Sequence, residues 1–277
     1  MVTPELKKAF AERNIETIPI EIGTQILVDE LAPANHEATQ VVIGSPLVLT
    51  AKTLTPKLRT FRLHRRLTLA ANSFLHDHVI AERPVLPATC AMSWIANACE
   101  QLYPGYKLFS FANFKVLKGS IFDDALVSEY ILELKEIAET DSISIEFEAK
   151  IWSKNQDGKV RYHFSTQLKL LRQLPLAPTY NSFNPAPNQT VPISGTSLYQ
   201  TSGSALFHGP AFQGVKSVLD ISPEKITTQC IVVGIGERQQ GQFPVQALNP
   251  YIADVQIHSM LIWLQHLHQE TCLPSEI

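Results

Sequence analysis

One loop constrains the fold more than any other feature, because it brings histidines and prolines directly to the start of a helix. The loop is Phe74–Thr89, and it contains His76, His78 and Pro87. Beyond it, one helical face is formed by Ala91, Trp94, Ile95, Ala98 and Leu102. The first turn of a helix has unpaired N–H groups and a positive dipole end. The pattern therefore predicts an imidazole beside groups that stabilise a carbonyl oxygen as it gains negative charge.

Composition indicates a globular protein in the cytoplasm. The chain has 277 residues, of which 45% are hydrophobic and 18% charged, with a net charge of −3. No apolar run approaches the roughly 20 residues that cross a bilayer, and segment 1–13 lacks the apolar core of a signal peptide. We therefore expect no membrane partner. Because there is no basic run, we expect no nucleic-acid partner either. Four cysteines without CxxC spacing predict free thiols.

The order of patterns predicts two α+β units joined by a linker. In the first unit, 46–171, alternating segments at 126–137, 142–153 and 160–171 predict an antiparallel sheet with a hairpin turn at Asn155–Gly158. The linker, 172–193, is rich in proline and suits an extended connector. The second unit, 194–277, has predicted strands at 215–221 and 226–233. They precede a helix that Asn249 caps and Pro250 begins.

Polar residues in the loop and on the second helix predict acid–base chemistry. Asp254 and His258 are four residues apart, so they lie on one helical face and can touch. In a dry site, desolvation would raise the pKa of Asp254 and keep it protonated, ready to donate to a leaving oxygen. His78 would accept a proton near neutral pH. One acid and one base from different units would catalyse an elimination.

Other interpretations of the same residues stay open at this point. A loop histidine is more often structural than catalytic, and a helical Asp–His pair is often a surface pair. His208–Pro210 is by default a turn, and Pro87 alone is a helix-start proline. A metal site is a further interpretation, because four ligands are offered by His76, His78, Asp254 and His258.

Three motifs in this order resemble those of polyketide synthase dehydratase domains. His78–Pro87 is similar to their HxxxGxxxxP signature, His208–Gln213 to their YGPxFQ turn, and Asn249–His258 to their HPxxxDxxxQ/H helix. The resemblance begins at Leu47 and implies an α+β double hot-dog fold, in which each half wraps an antiparallel sheet around a central helix. Because few residues follow His268, the C-terminal half is expected to be truncated.

The resemblance implies removal of water from a 3-hydroxyacyl-acyl carrier protein to give the trans-2-enoyl product. His78 would be the general base and Asp254 the general acid, with His258 orienting Asp254. N–H groups at the first core helix or near Gly209 would polarise the thioester carbonyl. No metal or other cofactor is implied, because the substrate is carried on the phosphopantetheine of the carrier protein.

The remaining motif residues are implied to support the site. Pro87 would set the turn that aims His78, and Gly209 and Pro210 would shape the substrate channel. Contact with substrate would come from His208, Phe212 and Gln213.

The opening segment, 1–45, resembles the tail of a ketoreductase domain. Its patterns predict helices at 3–14 and 23–31 and a short strand at 40–44, with no partner nearby in sequence. A ketoreductase tail before these motifs is most like the large subunit of bacterial polyunsaturated fatty acid synthases. The implied partners are an acyl carrier protein, the ketoreductase and other synthase domains, and a second copy in a homodimer.

This sequence departs from the family pattern at three positions. Glu82 replaces the signature glycine, His208 replaces a tyrosine and Asn249 replaces a histidine. The backbone at Glu82 must then tolerate a side chain, or the loop has a different shape. Two alternatives to a dehydratase stay open. One is a catalytically silent, dehydratase-like binding or scaffold domain, in which the pair is too far apart or the tunnel is closed by Glu82 or Arg83. The other is a metal-dependent hydrolase.

Overall fold

The computed structural model describes residues 3–12, 17–31, 58–122, 129–140, 143–155, 157–179, 193–200, 206–270 and 273–277. The chain divides into two compact units, Met1–Thr55 and Pro56–Ile277. The helices are α1 (Pro4–Glu12), α2 (Ile20–Glu30), α3 (Ala88–Leu102), α4 (Gly195–Gln200), α5 (Glu237–Gln240) and α6 (Pro250–His268). The strands are β1 (Thr60–Arg66), β2 (Val79–Ile80), β3 (Arg83–Pro84), β4 (Lys107–Val116), β5 (Glu129–Thr140), β6 (Ser144–Lys154), β7 (Val160–Leu171), β8 (Ile193–Ser194), β9 (Val215–Ile221) and β10 (Ile226–Cys230).

The unit Met1–Thr55 is separate from the two α+β units predicted above. It contains the two predicted helices, α1 and α2, close to their predicted bounds. No side chain of α2 is buried. The strand predicted at 40–44 lies outside the described residues.

The second unit, Pro56–Ile277, contains both predicted halves. Its first half is a five-stranded antiparallel sheet in the order β1-β5-β6-β7-β4, packed against α3. Its strands form where the sequence alternates, and the predicted turn between β6 and β7 is confirmed. There the Asn155 side chain accepts a hydrogen bond from the backbone N–H of Lys159 at 2.7 Å, and Gly158 supplies a positive φ of 76°. The core of this half is aromatic and aliphatic, and its largest fully buried members are Trp94, Phe114, Phe147 and Phe164.

The second half has a smaller sheet, in the order β10-β9-β8, which packs on α6. Asn249 caps α6 as predicted, because its side chain accepts from the N–H groups of Tyr251 and Ile252 at 3.1 and 3.2 Å. A separate small core contains Leu206, Val215, Val218, Val255, Leu261 and Ile262.

The residues after α6 extend the first sheet rather than the second. Val116 N–H donates to the carbonyl of Ser275, and Phe114 and Ile277 exchange two backbone hydrogen bonds of 2.8 and 3.0 Å. The outer edge of β4 is therefore paired with this segment along part of its length, which satisfies backbone groups that an edge strand leaves open.

Helices α3 and α6 lie together between the two sheets, and polar residues of α3 fix the entry to α6. Asn97 donates to the carbonyl of Pro244 and accepts from the N–H of Ala247, and Ser93 donates to the carbonyl of Leu248. These bonds position the first turn of α6, and with it Asp254, relative to α3.

Two predictions from composition can be compared with this fold. Cys90, Cys99 and Cys230 are free thiols, as expected, whereas Cys272 lies outside the described residues. Among the residues described, no helix has both the length and the apolar character needed to cross a membrane.

Candidate active site

His78 lies in a buried position between a 3-10 turn (Ser73–Asp77) and β2. Its Nδ1 lies 2.8 Å from the carbonyl oxygen of Val85, and the N–H of Val85 donates to the carbonyl of His78 at 3.0 Å. A carbonyl only accepts, so Nδ1 carries the proton and Nε2 keeps its lone pair. Burial lowers the pKa of His78, although the charge of Asp254 opposes this shift. The neighbouring histidine, His76, is exposed.

The loop that follows His78 is a two-residue hairpin between β2 and β3. Ala81 and Glu82 occupy its turn with φ values of 48° and 62°, as a type I′ turn requires. Glu82 thus lies in a left-handed conformation that suits the glycine of the family signature, and its side chain is exposed. The backbone at the signature position therefore tolerates a side chain in this chain.

Asp254 and His258 form a buried pair on α6, as their spacing predicts. His258 Nε2 lies 3.2 Å from Asp254 Oδ2, and the hydroxyl of Thr89 donates to Oδ1 at 3.3 Å. Burial raises the pKa of Asp254, but the hydrogen bond to His258 and the nearby imidazoles lower it more, and the net shift is downward. The prediction that desolvation keeps Asp254 protonated is therefore wrong, because the surrounding imidazoles lower its pKa more than burial raises it.

The His208–Gln213 turn is hydrogen-bonded to Asp77, the residue that precedes His78. The N–H of Gly209 donates to the carbonyl of Asp77 at 2.7 Å, and that of Ala211 to the Asp77 carboxylate at 3.1 Å. A Cβ on Gly209 would lie 2.9 Å from Asp77 Cα, so only glycine fits this approach. Because the Gly209 N–H is occupied, it is not the predicted donor to a thioester carbonyl.

His208 joins the acid–base pair from this turn. Its Nε2 lies 3.4 Å from Asp254 Oδ2, and its ring packs on the ring of His258 with centroids 3.9 Å apart. Burial lowers the pKa of His208 to about 2, so the ring is neutral. Its Nδ1 is buried and has no hydrogen-bond partner in the described part of the chain.

Sequence reasoning missed three residues that hold the site: Asp77, Thr89 and Tyr199. The Tyr199 hydroxyl lies 3.0 Å from His258 Nδ1, accepts from the N–H of Val215 and lies 3.5 Å from the carbonyl of Phe212. Two of these residues could have been noticed from their positions in the sequence. Thr89 lies two residues after Pro87, in the first turn of α3, and Asp77 directly precedes His78. Tyr199 offered no such signal, since its partners are brought together only by the fold.

These groups meet at a cavity of about 190 Å³ whose wall is mostly apolar. Its polar members are His78, His208, Asp254 and His258. The rest of the wall is Ile80, Val85, Leu86, Ala88, Val116, Gly119, Phe164, Phe207, Ile257, Leu261, Leu273 and Pro274. Glu82 and Arg83 lie outside this wall, so they do not close the cavity, which was one of the two forms of the silent-domain alternative.

Several predicted site residues lie behind the cavity rather than at its surface. Phe212 is fully buried and packs against the rings of His78 and His208, and exposed Gln213 donates to the carbonyl of His208 at 3.0 Å. Both residues support the turn, and their predicted contact with substrate stays a prediction. Gly209 and Pro210 also lie outside the wall and shape it only through His208.

The four-ligand metal set inferred from the sequence does not assemble. His76 is exposed and lies outside the cluster of donors at the cavity. His208 takes its place: one donor atom each from His78, His208 and Asp254 lie within 4.8 Å of one another.

Comparisons with known proteins identify the family. A model of the polyketide synthase dehydratase domain matches residues 45–149, and a model described as the polyketide synthase dehydratase N-terminal domain matches residues 182–277. The chain belongs to the polyketide synthase dehydratase family. It is also 30% identical, over 286 aligned residues, to one subunit of the polyunsaturated fatty acid synthase from Thraustochytrium sp. (strain ATCC 26185 / S-3). That match covers 100% of this chain and 10% of the relative, so the chain spans about a tenth of the relative's length.

Solved structures share the fold of this dehydratase family member. The dehydratase domain of RzxB from Pseudomonas fluorescens superposes with a TM-score of 0.60 at 16% identity, covering 78% of this chain and 75% of that one. Two inactive mutants of the CurK dehydratase of curacin polyketide synthase, Asp to Asn and His to Phe, give TM-scores of 0.57 and 0.56 at 17% and 16% identity. Each covers 79% of this chain and 74% of that one. These similarities confirm the predicted α+β hot-dog fold.

Proposed function

We propose that this dehydratase-family chain eliminates water from a 3-hydroxyacyl thioester to give a trans-2-enoyl thioester. The observation that carries the proposal is the meeting of His78 and Asp254, from opposite halves, with donor atoms within 4.8 Å in one apolar cavity. A base and an acid on either side of a C2–C3 bond suffice for this reaction. The two CurK mutants described as inactive change an aspartate and a histidine, the same residue types as this pair.

In the proposed reaction, His78 removes the C2 proton through Nε2. The hydrogen bond from Nδ1 to the Val85 carbonyl fixes the ring and becomes stronger as the ring gains charge. Burial keeps the imidazole neutral in the resting site, because it lowers the pKa of His78.

The departing C3 hydroxyl receives its proton from the Asp254–His258 pair rather than from Asp254 alone. In the arrangement proposed, the Tyr199 hydroxyl donates to the carbonyl of Phe212 and accepts from His258 Nδ1–H. His258 Nε2 and Asp254 Oδ2 then share one proton across 3.2 Å. Asp254 passes this shared proton to the departing hydroxyl oxygen as the C–O bond breaks, which releases water.

The thioester carbonyl gains negative charge as the C2 proton leaves. The first N–H groups of α3 have no intrahelical acceptor, and Ala88 of this turn lines the cavity. We assign the carbonyl oxygen to this helix start, where N–H groups and the helix dipole stabilise an enolate-like oxygen.

The proposed substrate is delivered on the phosphopantetheine of an acyl carrier protein. The named relative is part of a synthase and is about ten times longer than this chain, which supports a place beside other synthase domains. A ketoreductase among them would supply the 3-hydroxyacyl group, and the chain would act as a homodimer within the synthase.

The test is mass spectrometry of a 3-hydroxyacyl carrier protein incubated with the chain, with and without chelator. The parent is expected to remove one water in both conditions. His78→Phe and Asp254→Asn should each slow the reaction by about 10²- to 10⁴-fold, the usual contribution of one general acid or base. His76→Phe is the matched control, because His76 is an exposed histidine two positions away and should react like the parent.

Other outcomes would favour the alternatives. A folded parent that binds the acylated carrier protein without losing water would indicate a silent binding domain. Loss of activity with chelator would instead indicate a metal-dependent enzyme.

A further inference from the structure

His208, which replaces the motif tyrosine, is a third side chain that can bind a metal ion, and it lies next to His78 and Asp254. His78, His208 and Asp254 are all at least nine-tenths buried, with exposures of 6%, 5% and 6%. Their donor atoms lie within 4.8 Å of one another, and the His208 Nε2 to Asp254 Oδ2 distance is 3.4 Å. In a tetrahedral zinc site with bonds of about 2.0 Å, neighbouring ligands are roughly 3.3 Å apart. One edge of such a site is therefore already formed.

The groups around these three side chains orient them as a metal site requires. His78 donates Nδ1–H to the Val85 carbonyl, which directs the lone pair of Nε2 outward, as second-layer carbonyls do for zinc-bound histidines. The hydroxyl of Thr89 and the ring of His258 hold the Asp254 carboxylate from two sides. The buried Nδ1 of His208 has no protein partner among the described residues, so no hydrogen bond from the protein occupies that nitrogen.

We propose that His78, His208 and Asp254 bind a zinc-type divalent cation that inhibits the enzyme. Two neutral imidazoles and one carboxylate are a donor set that Zn²⁺ accepts, with the fourth position open to the cavity. A cation there would occupy Nε2 of His78, the atom assigned to remove the C2 proton. Inhibition therefore rests on the proposed function, whereas binding does not. The direction of the effect is opposite to that of a metal-dependent hydrolase, since chelator would restore activity.

Binding is tested without substrate. Zn²⁺ is titrated into the intact chain by calorimetry, and Co²⁺ is titrated as a spectroscopic substitute whose visible absorption reports tetrahedral coordination. The parent is expected to bind one ion. His208→Tyr, which recreates the family turn, and Asp254→Asn, which is nearly isosteric, should each weaken binding by more than about 100-fold, since loss of a direct ligand exceeds the usual effect of an outer one. His76→Ala should bind like the parent, and circular dichroism checks that each variant folds.

The two possible failures are distinguishable. If His208→Tyr and Asp254→Asn bind Zn²⁺ as the parent does, or if the parent binds none, the metal site is overturned whatever the dehydratase assay shows. If His208→Tyr does not fold, Asp254→Asn alone decides. In the carrier-protein assay, Zn²⁺ should reduce the rate of the parent and chelator should restore it. A one-to-one Zn²⁺ complex that leaves dehydration unaffected would overturn the inhibitory role.

Discussion

The two halves of the second unit use buried polar groups differently. In the first half, buried Glu136 is bonded to Arg59 and Tyr103, and buried His163 is bonded to Ser153 and the carbonyl of Lys118. Both groups are hydrogen-bonded by partners within the first half, and neither lines the cavity. In the second half, Asp254, His258 and His208 contact one another and a cavity.

The difference follows from the two cores. The first half packs a large aromatic core between α3 and five strands. The second half has three strands and a small aliphatic core, which leaves one face of α6 beside the cavity. The proposed base and acid therefore lie where the two halves meet: His78 comes from the first half, and Asp254 and His258 come from α6 of the second.

The same substitution in each core tests this division most strongly. Leu132→Ala, in the fully buried centre of β5, is expected to lower the free energy of unfolding by about 3–5 kcal/mol. Leu261→Ala should cost only about 2–3 kcal/mol, because Leu261 already lines a cavity and has fewer contacts to lose. Urea unfolding of both variants measures the two values. Equal losses would show that the second core is as tightly packed as the first.

The hydrogen bonds that link α3 to the segment before α6 are expected to give the next largest change in the free energy of unfolding. Asn97→Ala removes two hydrogen bonds and leaves the Pro244 carbonyl and the Ala247 N–H without this partner, so it should cost about 2–3 kcal/mol. Ser93→Ala, one turn earlier on α3, removes a single bond to Leu248 and should cost about 1 kcal/mol. Unfolding of the two variants is compared with their rates in the proposed dehydration. If Asn97→Ala keeps the full rate, the link does not position α6.

His163 provides a titrating group in the first half that is separate from the site. Burial lowers its pKa, with help from the charges of Arg161 and Lys118, so the folded chain keeps it neutral. The unfolded chain takes up a proton near pH 6.5, and stability is therefore full above that pH and falls as the pH drops below it. Between about pH 7.5 and 5.5 the loss from this group is roughly 1 kcal/mol.

His163→Gln should remove that part of the pH dependence. Urea unfolding at several pH values would show a smaller acid loss in the variant than in the parent, while the other histidines contribute equally to both. Parallel curves for the two proteins would show that His163 titrates alike in the folded and unfolded chain.

Most of the scaffold could be predicted from local patterns. The alternation of β7, the periodicity of α3 and the cap of α6 predicted elements at or near their observed bounds, because these depend on neighbouring residues alone. The Asp254–His258 contact was likewise predictable from helical spacing. Contacts across the fold were not. Tyr199 reaches His258 across 59 positions, and the residues after α6 pair with β4 rather than with their own half.

The pKa of Asp254 shows why a site is harder to predict than its scaffold. Burial alone indicated an upward shift, and the carboxylate is indeed buried. The direction of the pKa shift depends instead on how many imidazoles surround the carboxylate. His208 is one of them, and its turn is held in place by hydrogen bonds to Asp77. Residue spacing within a helix contains no information about that third imidazole.

The smallest expected effect concerns the hairpin after His78, where this chain has glutamate in place of the signature glycine. Ala81 and Glu82 both have positive φ, a conformation that costs an L-residue about 1 kcal/mol relative to glycine. Glu82→Gly should therefore stabilise the chain by about 0.5–1 kcal/mol, although glycine also gains entropy in the unfolded state. The measurement is urea unfolding, with Gly158→Ala as the reverse control, because Gly158 also has a positive φ and open space around its Cα. Destabilisation by Glu82→Gly would mean that the exposed carboxylate has a partner worth more than the backbone strain, and the glutamate would then be a binding feature rather than a tolerated replacement.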